Sequence, residues 1–334
     1  MRNLWLLLVL FFFLPGCKES ESAFNPESAL EKEVSGERAW QHVKELVEFG
    51  PRPAGSIALE SSRGYLEETL AALGWEPRRE TFAVKTVEGE VEFVNLRARY
   101  GSDRWEEAIE GVIGSHYETK RFEQFEFVGA NDGGSSTGLL LELARVLALK
   151  PELASKIELV FFDGEEAFGT AITPHDGLFG SKQYAKEWLL QNPALRPRWG
   201  IVLDMVGDED LKIRAGAQIP QASIRELAKA KEEKDYGVNL LEVQESLSGI
   251  AANLVLAAED LGIGREVGIS PDYIVDDHIP LNVVAGIPTI DLIDFDYPYW
   301  HTPGDTLERV KPESLAVTGR VTLQLVEKYL LRGN

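Results

Sequence analysis

Predominantly apolar runs alternate along most of the chain with segments whose apolar residues recur every three to four positions. The first pattern is typical of buried strands in a parallel sheet, and the second indicates helices that pack one face on a core. The apolar runs lie at 108–115, 157–162, 199–203 and 287–293. The helical patterns lie at 37–49, 57–73, 135–149, 181–190, 221–233, 246–261 and 312–331.

Two segments near the start alternate apolar and polar residues instead. They span 80–84 and 91–100 and predict antiparallel strands at an edge of the sheet. Because strands then alternate with helices, we predict an α/β fold, a three-layer sandwich with helices on both faces of a mixed, mostly parallel central sheet. Residues 35–334 are expected to form a single catalytic domain of this kind.

The first 34 residues have a different character. Arg2 precedes an apolar stretch over 4–14, which is too short to span a bilayer and is typical of a signal segment. The following Leu-Pro-Gly-Cys resembles a bacterial lipobox, in which the cysteine, here Cys17, becomes the lipidated first residue of the mature protein. We therefore expect a lipoprotein signal over 1–17 and an acidic flexible tether over 18–34. A plain secretory signal is the alternative.

Net charge and cysteine content limit which classes of partner and which cellular compartment we expect for this protein. The net charge of −21 disfavours nucleic acid and an anionic lipid surface as partners. Membrane contact is thus expected through the N-terminal lipid only, in the bacterial cell envelope on the periplasmic or extracellular face. Cys17 is the only cysteine, which excludes an intramolecular disulfide and a thiolate zinc cluster.

Side chains that can bind a metal follow each of the predicted parallel strands. They are His116, the pair Glu165 and Glu166, Asp204 and His301, with Asp132 in a glycine-rich loop between the first two strands. Because the carboxyl ends of parallel strands meet at one edge of a sheet, we expect these residues to converge there. Histidines and carboxylates without cysteine suit zinc, and manganese or cobalt less well.

The two adjacent glutamates favour catalysis. Neighbours at a strand end point in different directions, so one can bind a cation while the other stays free as a general base. Each residue also has a plain structural interpretation, as a solvated turn, a helix cap or a packed loop residue. Their joint placement at one sheet edge favours a metal site.

Five segments resemble, in order, the zinc aminopeptidase superfamily that also contains animal-type glutaminyl cyclases. They span 116–118, 128–132, 162–168, 203–207 and 300–306, and the resemblance extends over nearly the whole chain from residue 49 onward. It implies one zinc on Asp132, Glu166 and His301, and a general acid/base at Glu165. Asp204 and Asp276 would be hydrogen-bonded behind Glu165. The peptide bond after Asp132 would be cis.

Two details resemble the cyclase branch in particular. One is the run Asp-Asp-His-Ile-Pro that begins at Asp276, and the other is Trp300 directly before His301. Trp300 would line the substrate pocket, and Tyr297 would help it to exclude water. The pocket also departs from the cyclase pattern, because Val275 replaces a glutamine and 169–171 lacks a tryptophan.

The expected function is therefore zinc-dependent glutaminyl-peptide cyclotransfer, which converts an N-terminal glutamine to pyroglutamate and releases ammonia. Peptides or proteins with a free N-terminus would be the substrates. A zinc metallo-aminopeptidase, with a second zinc on His116, Asp132 and Asp204, is the main alternative, because the residues of that second site are all present. An inactive binding domain on a lipid anchor is a third.

The lipobox can be tested by a single substitution. Cys17→Ser removes the thiol that would carry the lipid, so we expect the protein to move from the membrane fraction to the soluble or secreted one. Fractionation followed by immunoblotting measures this shift. A wild-type protein that is already soluble and carries no lipid would contradict the anchoring prediction.

Overall fold

The computed structural model describes residues 28–101, 105–221 and 238–331. Within these ranges the chain forms one eight-stranded sheet in the order β1-β2-β4-β3-β5-β8-β6-β7. The strands are β1 (Trp75–Thr86), β2 (Gly89–Tyr100), β3 (Gly111–His116), β4 (Ile157–Phe162), β5 (Trp199–Asp204), β6 (Ile213–Gly216), β7 (Val267–Ile269) and β8 (Thr289–Ile293). The central strands β4, β3, β5 and β8 are parallel. β2 is antiparallel to both β1 and β4, and β6 is antiparallel to β8 but parallel to β7.

Helices surround this sheet. They are α1 (Gly36–Glu48), α2 (Ile57–Ala72), α3 (Gly134–Leu147), α4 (Pro151–Ala154), α5 (Phe179–Leu190), α6 (Leu240–Leu261), α7 (His278–Pro280) and α8 (Pro312–Gln324). Wider helical turns extend α7 over Leu281–Ala285 and α8 over Leu325–Leu330. None of the described helices has both the length and the apolar character needed to cross a bilayer.

Alternate residues of the buried strands pack in two separate hydrophobic cores, one on each face of the sheet. In β4, Leu159 and Phe161 join the larger core under α1, α3, α6 and α8, whereas Val160 and Phe162 join a smaller core with Tyr184 of α5. Both sets of residues are buried because parallel strands are covered on both faces. The predicted three-layer α/β sandwich is confirmed.

The sequence pattern does not predict two short strands. β6 and β7 are four and three residues long, and a segment of that length is too short to show a period of two. They extend the sheet beyond β8 at the edge opposite β1. The helix expected at 221–233 lies almost wholly outside the described residues, as do the signal segment and the first part of the tether.

The packed part of the chain begins earlier than residue 35, so the predicted boundary of the tether is wrong at its end. Leu30 is fully buried, and its backbone N–H donates to the Glu327 carboxylate at 2.9 Å. The backbone N–H of Ser35 donates to Glu142 at 2.8 Å. The few apolar residues of this acidic stretch have no regular spacing, so only the contacts of Leu30 with the rest of the fold reveal that it packs.

The close contact between α1 and α3 depends on Gly138. A Cβ at this position would lie 2.7 Å from Val43 Cγ2 and 2.8 Å from the backbone oxygen of Ala39. Because backbone atoms cannot move aside as a flexible side chain does, we expect Gly138→Val to lower the free energy of unfolding by about 2–3 kcal/mol. Chemical denaturation followed by circular dichroism measures the change.

Gly249→Ala is the matched control, because Gly249 also lies within a helix, α6, but a Cβ there meets no atom within 4 Å. Alanine should stabilise that helix by up to about 1 kcal/mol. Equal effects of the two substitutions would show that helix packing at Gly138 is not the cause.

Candidate metal centre and active site

Strand register brings the polar residues to one edge of the sheet. His116 at the end of β3 lies opposite Phe162 at the end of β4, and Asp204 at the end of β5 lies opposite Ile293 at the end of β8. The loops that follow β4 and β8 carry Glu166 and His301. The carboxyl ends of four parallel strands therefore deliver the candidate ligands to a common place, as open α/β sheets do for ligands generally.

Three sets of residues there have ligand atoms within 4.8 Å of one another. They are Asp132 with Glu166 and His301, His116 with Asp132 and Asp204, and His116 with Glu118 and Glu165. The first set is the one implied for a single zinc, and the second is the one implied for an additional zinc. The structure thus brings all of the predicted ligands together.

Asp132 is shared between the first two sets and offers a different oxygen to each. Its Oδ2 lies 3.4 Å from His301 Nε2, and its Oδ1 lies 3.3 Å from His116 Nε2. His301 Nε2 is also 3.0 Å from Glu166 Oε1, and His116 Nε2 is 3.0 Å from Asp204 Oδ1. A carboxylate with one oxygen on each side is suited to bridge two cations.

The donor atoms fit zinc. Asp132 Oδ2 is buried and has no hydrogen-bond partner among the described residues, although a buried carboxylate oxygen normally has one. Two carboxylates and an imidazole nitrogen are ligands that zinc accepts, and three protein ligands leave a coordination position open for substrate. Asp132, Glu166 and His301 can therefore hold one zinc ion.

The electrostatics of the site favour a cation. Burial opposes protonation of His301, but the nearby carboxylates of Asp132 and Glu166 outweigh that effect and raise its pKa to about 9. The pKa of His116 is also raised, because the charge of Asp204 and hydrogen bonds to Asp132 and Asp204 outweigh burial. The same negative field that stabilises these protons stabilises a metal ion in their place.

The loop that carries Asp132 is held by its backbone. The Asp305 carboxylate accepts from the N–H of Asn131 at 2.8 Å and from that of Asp132 at 3.1 Å. Tyr297 Oη donates to Asp305 Oδ1 at 2.8 Å. These bonds orient the bridging carboxylate before any ligand binds.

Gly133 completes the turn with a left-handed φ of 76°. A Cβ there would lie 2.8 Å from both Glu118 O and His116 Cε1, so only glycine fits. All peptide bonds in the described ranges are trans, so the predicted cis bond after Asp132 is wrong. The positive φ of Gly133 lets the backbone turn at this point while the preceding peptide bond stays trans.

Two non-glycine residues at the site also have left-handed backbones. Met205, directly after Asp204, has a φ of 47°, and His301 has a φ of 54°. Such conformations cost about 1–3 kcal/mol each and persist only where the surroundings impose them. At both positions the strain falls on, or next to, a candidate ligand.

Glu165 is buried beside this centre. Burial raises its pKa well above the usual range, and the charges of Glu166 and Asp276 raise it further. The pKa of Asp276 is raised by its own burial and then by Asp204 and Asp277. Burial and the neighbouring negative charges thus favour the protonated form of these acids, a property that suits general acid/base catalysis.

The predicted hydrogen bonds behind Glu165 are absent from the described residues. Asp204 pairs with His116, and Asp276 accepts from the backbone N–H of Asp277. Glu165, Asp204 and Asp276 nevertheless line the same cavity. Their influence on one another is electrostatic, which the sequence could not distinguish from direct bonding.

A cavity of about 660 Å³ opens over Glu165 and the candidate ligands. Val275 and Trp300 line it, and their side chains are 42% and 43% exposed. Phe295 also lines the cavity and contacts Trp300 at a ring-centroid distance of 5.4 Å. Trp300 stacks on His301 at 4.3 Å. The mouth of the cavity is thus partly apolar, which suits the removal of water around a bound substrate.

Tyr297 does not belong to this lining, so its predicted contact with substrate is wrong. Its side chain is only 3% exposed, and its hydroxyl is used by Asp305. The sequence places an aromatic residue near the ligand loop but does not show which side of that loop faces the cavity.

Three residues of the site were not anticipated as functional. Glu118 accepts from the backbone N–H of Glu166 at 3.0 Å, and Lys120 Nζ lies 3.4 Å from Glu166 Oε2. Asp305 is the third. The available signals were a glutamate and a lysine shortly after His116, and an acid four residues after His301. The roles of these three residues depend on contacts with distant segments, so the sequence signals alone do not reveal them.

Comparison with known proteins gives a consistent family. The model of peptidase family M28 matches residues 95–326. A Drosophila melanogaster protein named glutaminyl-peptide cyclotransferase is 28% identical over 303 residues, covering 87% of this chain and 81% of that protein.

Solved structures are similar over nearly their whole length. A glutaminyl cyclase from an Acidobacteriales bacterium has a TM-score of 0.73 at 26% identity, covering 94% of this chain and 100% of that one. A Zn-dependent exopeptidase from Parabacteroides distasonis has a TM-score of 0.69 at 25% identity, covering 89% and 99%. The fold therefore serves enzymes with both names.

The support that Asp305 gives to the Asp132 loop can be measured through metal affinity. Asp305→Ala leaves two backbone N–H groups without their acceptor, so we expect zinc affinity to fall about 10- to 100-fold, as is usual when a residue behind a ligand is lost. Competition with a chromogenic chelator measures the dissociation constant. Glu308→Ala is the control, an exposed acid on the next turn. An unchanged affinity of the Asp305 variant would refute the supporting role.

Proposed function

The chain belongs to peptidase family M28, and on that premise we propose that it is a zinc-dependent glutaminyl-peptide cyclotransferase. It is an enzyme, either such a cyclotransferase or a related metallo-aminopeptidase. The observation that carries the proposal is the position of Glu165, which is buried beside Glu166 but stands outside the group formed by Asp132, Glu166 and His301. A carboxylate in that position can move protons while its neighbour binds metal.

Asp132, Glu166 and His301 would hold the zinc ion, which supplies Lewis-acid polarisation of the amide carbonyl in the side chain of an N-terminal glutamine. The substrate's α-amine attacks that carbonyl carbon, a new bond from carbon to the α-nitrogen closes the five-membered ring, and the bond from the same carbon to the amide nitrogen breaks. Glu165 accepts the proton of the attacking amine and returns it to the departing nitrogen, which leaves as ammonia. Protons balance, because the carboxyl group ends as it began.

The raised pKa of Glu165 suits both halves of this transfer. Burial contributes most to it, followed by the charges of Glu166 and Asp276. A carboxylate whose pKa is raised accepts a proton more readily than an ordinary carboxylate does, as a general base requires. Asp276 and Asp204 support this state through their negative charge.

Apolar residues at the mouth of the cavity favour cyclisation over hydrolysis. Trp300 and Phe295 form an aromatic pair there, and Val275 adds further apolar surface. A bound peptide would displace water from this region, so that the substrate's own amine is the nucleophile nearest to the polarised carbonyl.

The group of His116, Asp132 and Asp204 favours a second candidate, a metallo-aminopeptidase. In that reaction Glu165 would accept the proton of an attacking water, and the scissile bond would be the first peptide bond. The two activities share the ligands of the first group and the general base. Bound zinc per protein molecule separates them, because one ion suffices for the cyclase and two, both required for activity, support the peptidase.

We also propose the setting in which the enzyme acts. Its substrates are peptides or proteins with a free N-terminus, and the residues from the packed start of the chain onward act as a single catalytic domain. An N-terminal lipid on Cys17 holds it in the bacterial cell envelope, facing the periplasm or the exterior.

Glu165→Gln tests the mechanism. The substitution keeps the size of the side chain and removes its ability to carry a proton, so turnover should fall by about 10² to 10⁴. Zinc content should stay near that of the wild type, because Glu165 is outside the proposed ligand set. Glu166→Gln is the matched comparison and should lose metal and activity together.

The assay offers one glutamine-led peptide and one leucine-led peptide. A cyclase forms pyroglutamate and ammonia from the first and leaves the second intact, whereas an aminopeptidase releases free leucine. A wild-type enzyme that releases leucine and forms no pyroglutamate refutes the cyclase proposal. Full activity of Glu165→Gln on either substrate refutes the assigned role of Glu165.

A further inference from the structure

Arg214 lines the catalytic cavity and makes no ion pair with a carboxylate in the described ranges. Its Nη1 donates to two backbone oxygens, Ile213 O at 2.8 Å and Glu266 O at 3.3 Å. This is unusual in a chain with 55 acidic and only 34 basic residues. The buried arginines of the sheet differ, because Arg97 and Arg99 both bind the Glu158 carboxylate.

Arg52 is a structural arginine that likewise forms no ion pair with a carboxylate in the described ranges. Its Nε, Nη1 and Nη2 all donate to backbone oxygens, which come from Leu46, Gly50, Tyr117, Val128 and Gly129. Arg214 uses only Nη1 in this way, and no described residue accepts from its Nε or Nη2. Part of the planar donor fork of Arg214 is therefore available to a ligand in the cavity.

The sheet register gives the distance of Arg214 from the candidate metal centre. Arg214 in β6 pairs with Ile293 in β8, and Ile293 pairs in turn with Asp204 in β5. Adjacent strands are about 4.8 Å apart, so the backbones of Arg214 and Asp204 are roughly 10 Å apart. An extended peptide advances about 3.3 Å per residue, so this separation corresponds to roughly three residues.

Arg214 also lines an adjoining pocket with Glu209, Asp210, Glu266 and Glu313, but it forms an ion pair with none of them in the described ranges. Lys212 Nζ lies 2.9 Å from Asp210 Oδ2 and 3.7 Å from Asp296 Oδ2, so its charge is balanced. Asp272 also lines the cavity, but it forms no ion pair with Arg214 within the described ranges. An incoming carboxylate would find its partner in Arg214 rather than in Lys212.

We propose that Arg214 forms a carboxylate-binding subsite for peptides whose N-terminus occupies the metal centre. The carboxylate is either an acidic side chain at the second or third residue or the C-terminal carboxylate of a di- or tripeptide. A guanidinium matches the planar geometry of a carboxylate and binds it through paired N–H donors. The inference rests on the proposed function, because it takes the peptide N-terminus to lie at the metal centre.

The test compares amidated glutamine-led tetrapeptides that carry glutamate at the second or third position with the same peptides carrying glutamine there. A glutamine-led tripeptide with a free or an amidated C-terminus forms the second arm. Leucine-led versions of all peptides serve if the enzyme is an aminopeptidase. The wild type should show a KM about five- to tenfold lower for the acidic member of a pair, as expected for a partly solvated charged hydrogen bond.

Arg214→Gln should abolish this difference and leave kcat and KM for the neutral amidated peptides unchanged. Arg214→Lys keeps the charge and loses the planar fork, so it should retain only part of the preference. Arg198→Gln removes the same charge near the amino end of β5, at the opposite edge of the sheet, and should keep the wild-type preference. Thermal unfolding verifies that each variant is folded.

The two arms identify the source of the carboxylate. A preference confined to the amidated acidic peptides assigns the subsite to a side chain, and one confined to the free tripeptide assigns it to the C-terminus. Equal KM values in the wild type overturn the inference, as does a preference that survives in Arg214→Gln or that Arg198→Gln abolishes equally. In those cases turnover of neutral peptides leaves the proposed function standing. A wild type that turns over no peptide at all overturns both.

Discussion

A concentration of buried carboxylates at the carboxyl edge of the sheet is the constraint on which the rest of this structure depends. Asp132, Glu165, Asp204 and Asp276 are all buried there, and Glu166 lies beside them. Uncompensated charges in such a place are strongly unfavourable, and they can be held only by protons, by histidines or by a bound cation. Burial, and then the neighbouring negative charges, raise the pKa values of Glu165 and Asp276, and the carboxylates of Asp132 and Glu166 raise the pKa of His301.

The surrounding scaffold holds this edge in position. Parallel strands bring the residues that follow them to one place, and the smaller and larger cores on the two faces keep those strands from moving. Asp305 fixes the backbone of the loop that carries Asp132, and Tyr297 in turn fixes Asp305. The left-handed backbones at Met205 and His301 indicate that the fold tolerates local strain to place these groups.

One arrangement of residues can support two reactions in this family. Asp132 faces both ligand groups, and Glu165 lies next to both. Whether the nucleophile is the substrate's own amine or a water depends on what the cavity admits beside the polarised carbonyl. The apolar residues at the mouth, Trp300, Phe295 and Val275, affect that choice of nucleophile rather than the binding of the metal.

The order of apolar and polar segments along the chain predicts the class of the fold and the groups at the carboxyl edge of the sheet. The apolar run at 157–162 became β4 with the same bounds, and the polar residues that follow each parallel strand met as expected. Periodicity reports burial along a single segment, and a strand that is covered on both faces shows it without help from distant segments. The parallel sheet then forces the strand ends together.

Which residues contact one another becomes visible only in the folded chain. The Tyr297 hydroxyl donates to Asp305 and does not face the cavity. Leu30 is packed although it lies in an acidic stretch, and β6 and β7 form from segments too short to show a pattern. Likewise, the folded structure alone shows that no carboxylate of the described residues forms an ion pair with Arg214, whose Nη1 donates to backbone oxygens instead. Such partnerships depend on contacts between distant segments, and local pattern carries no information about them.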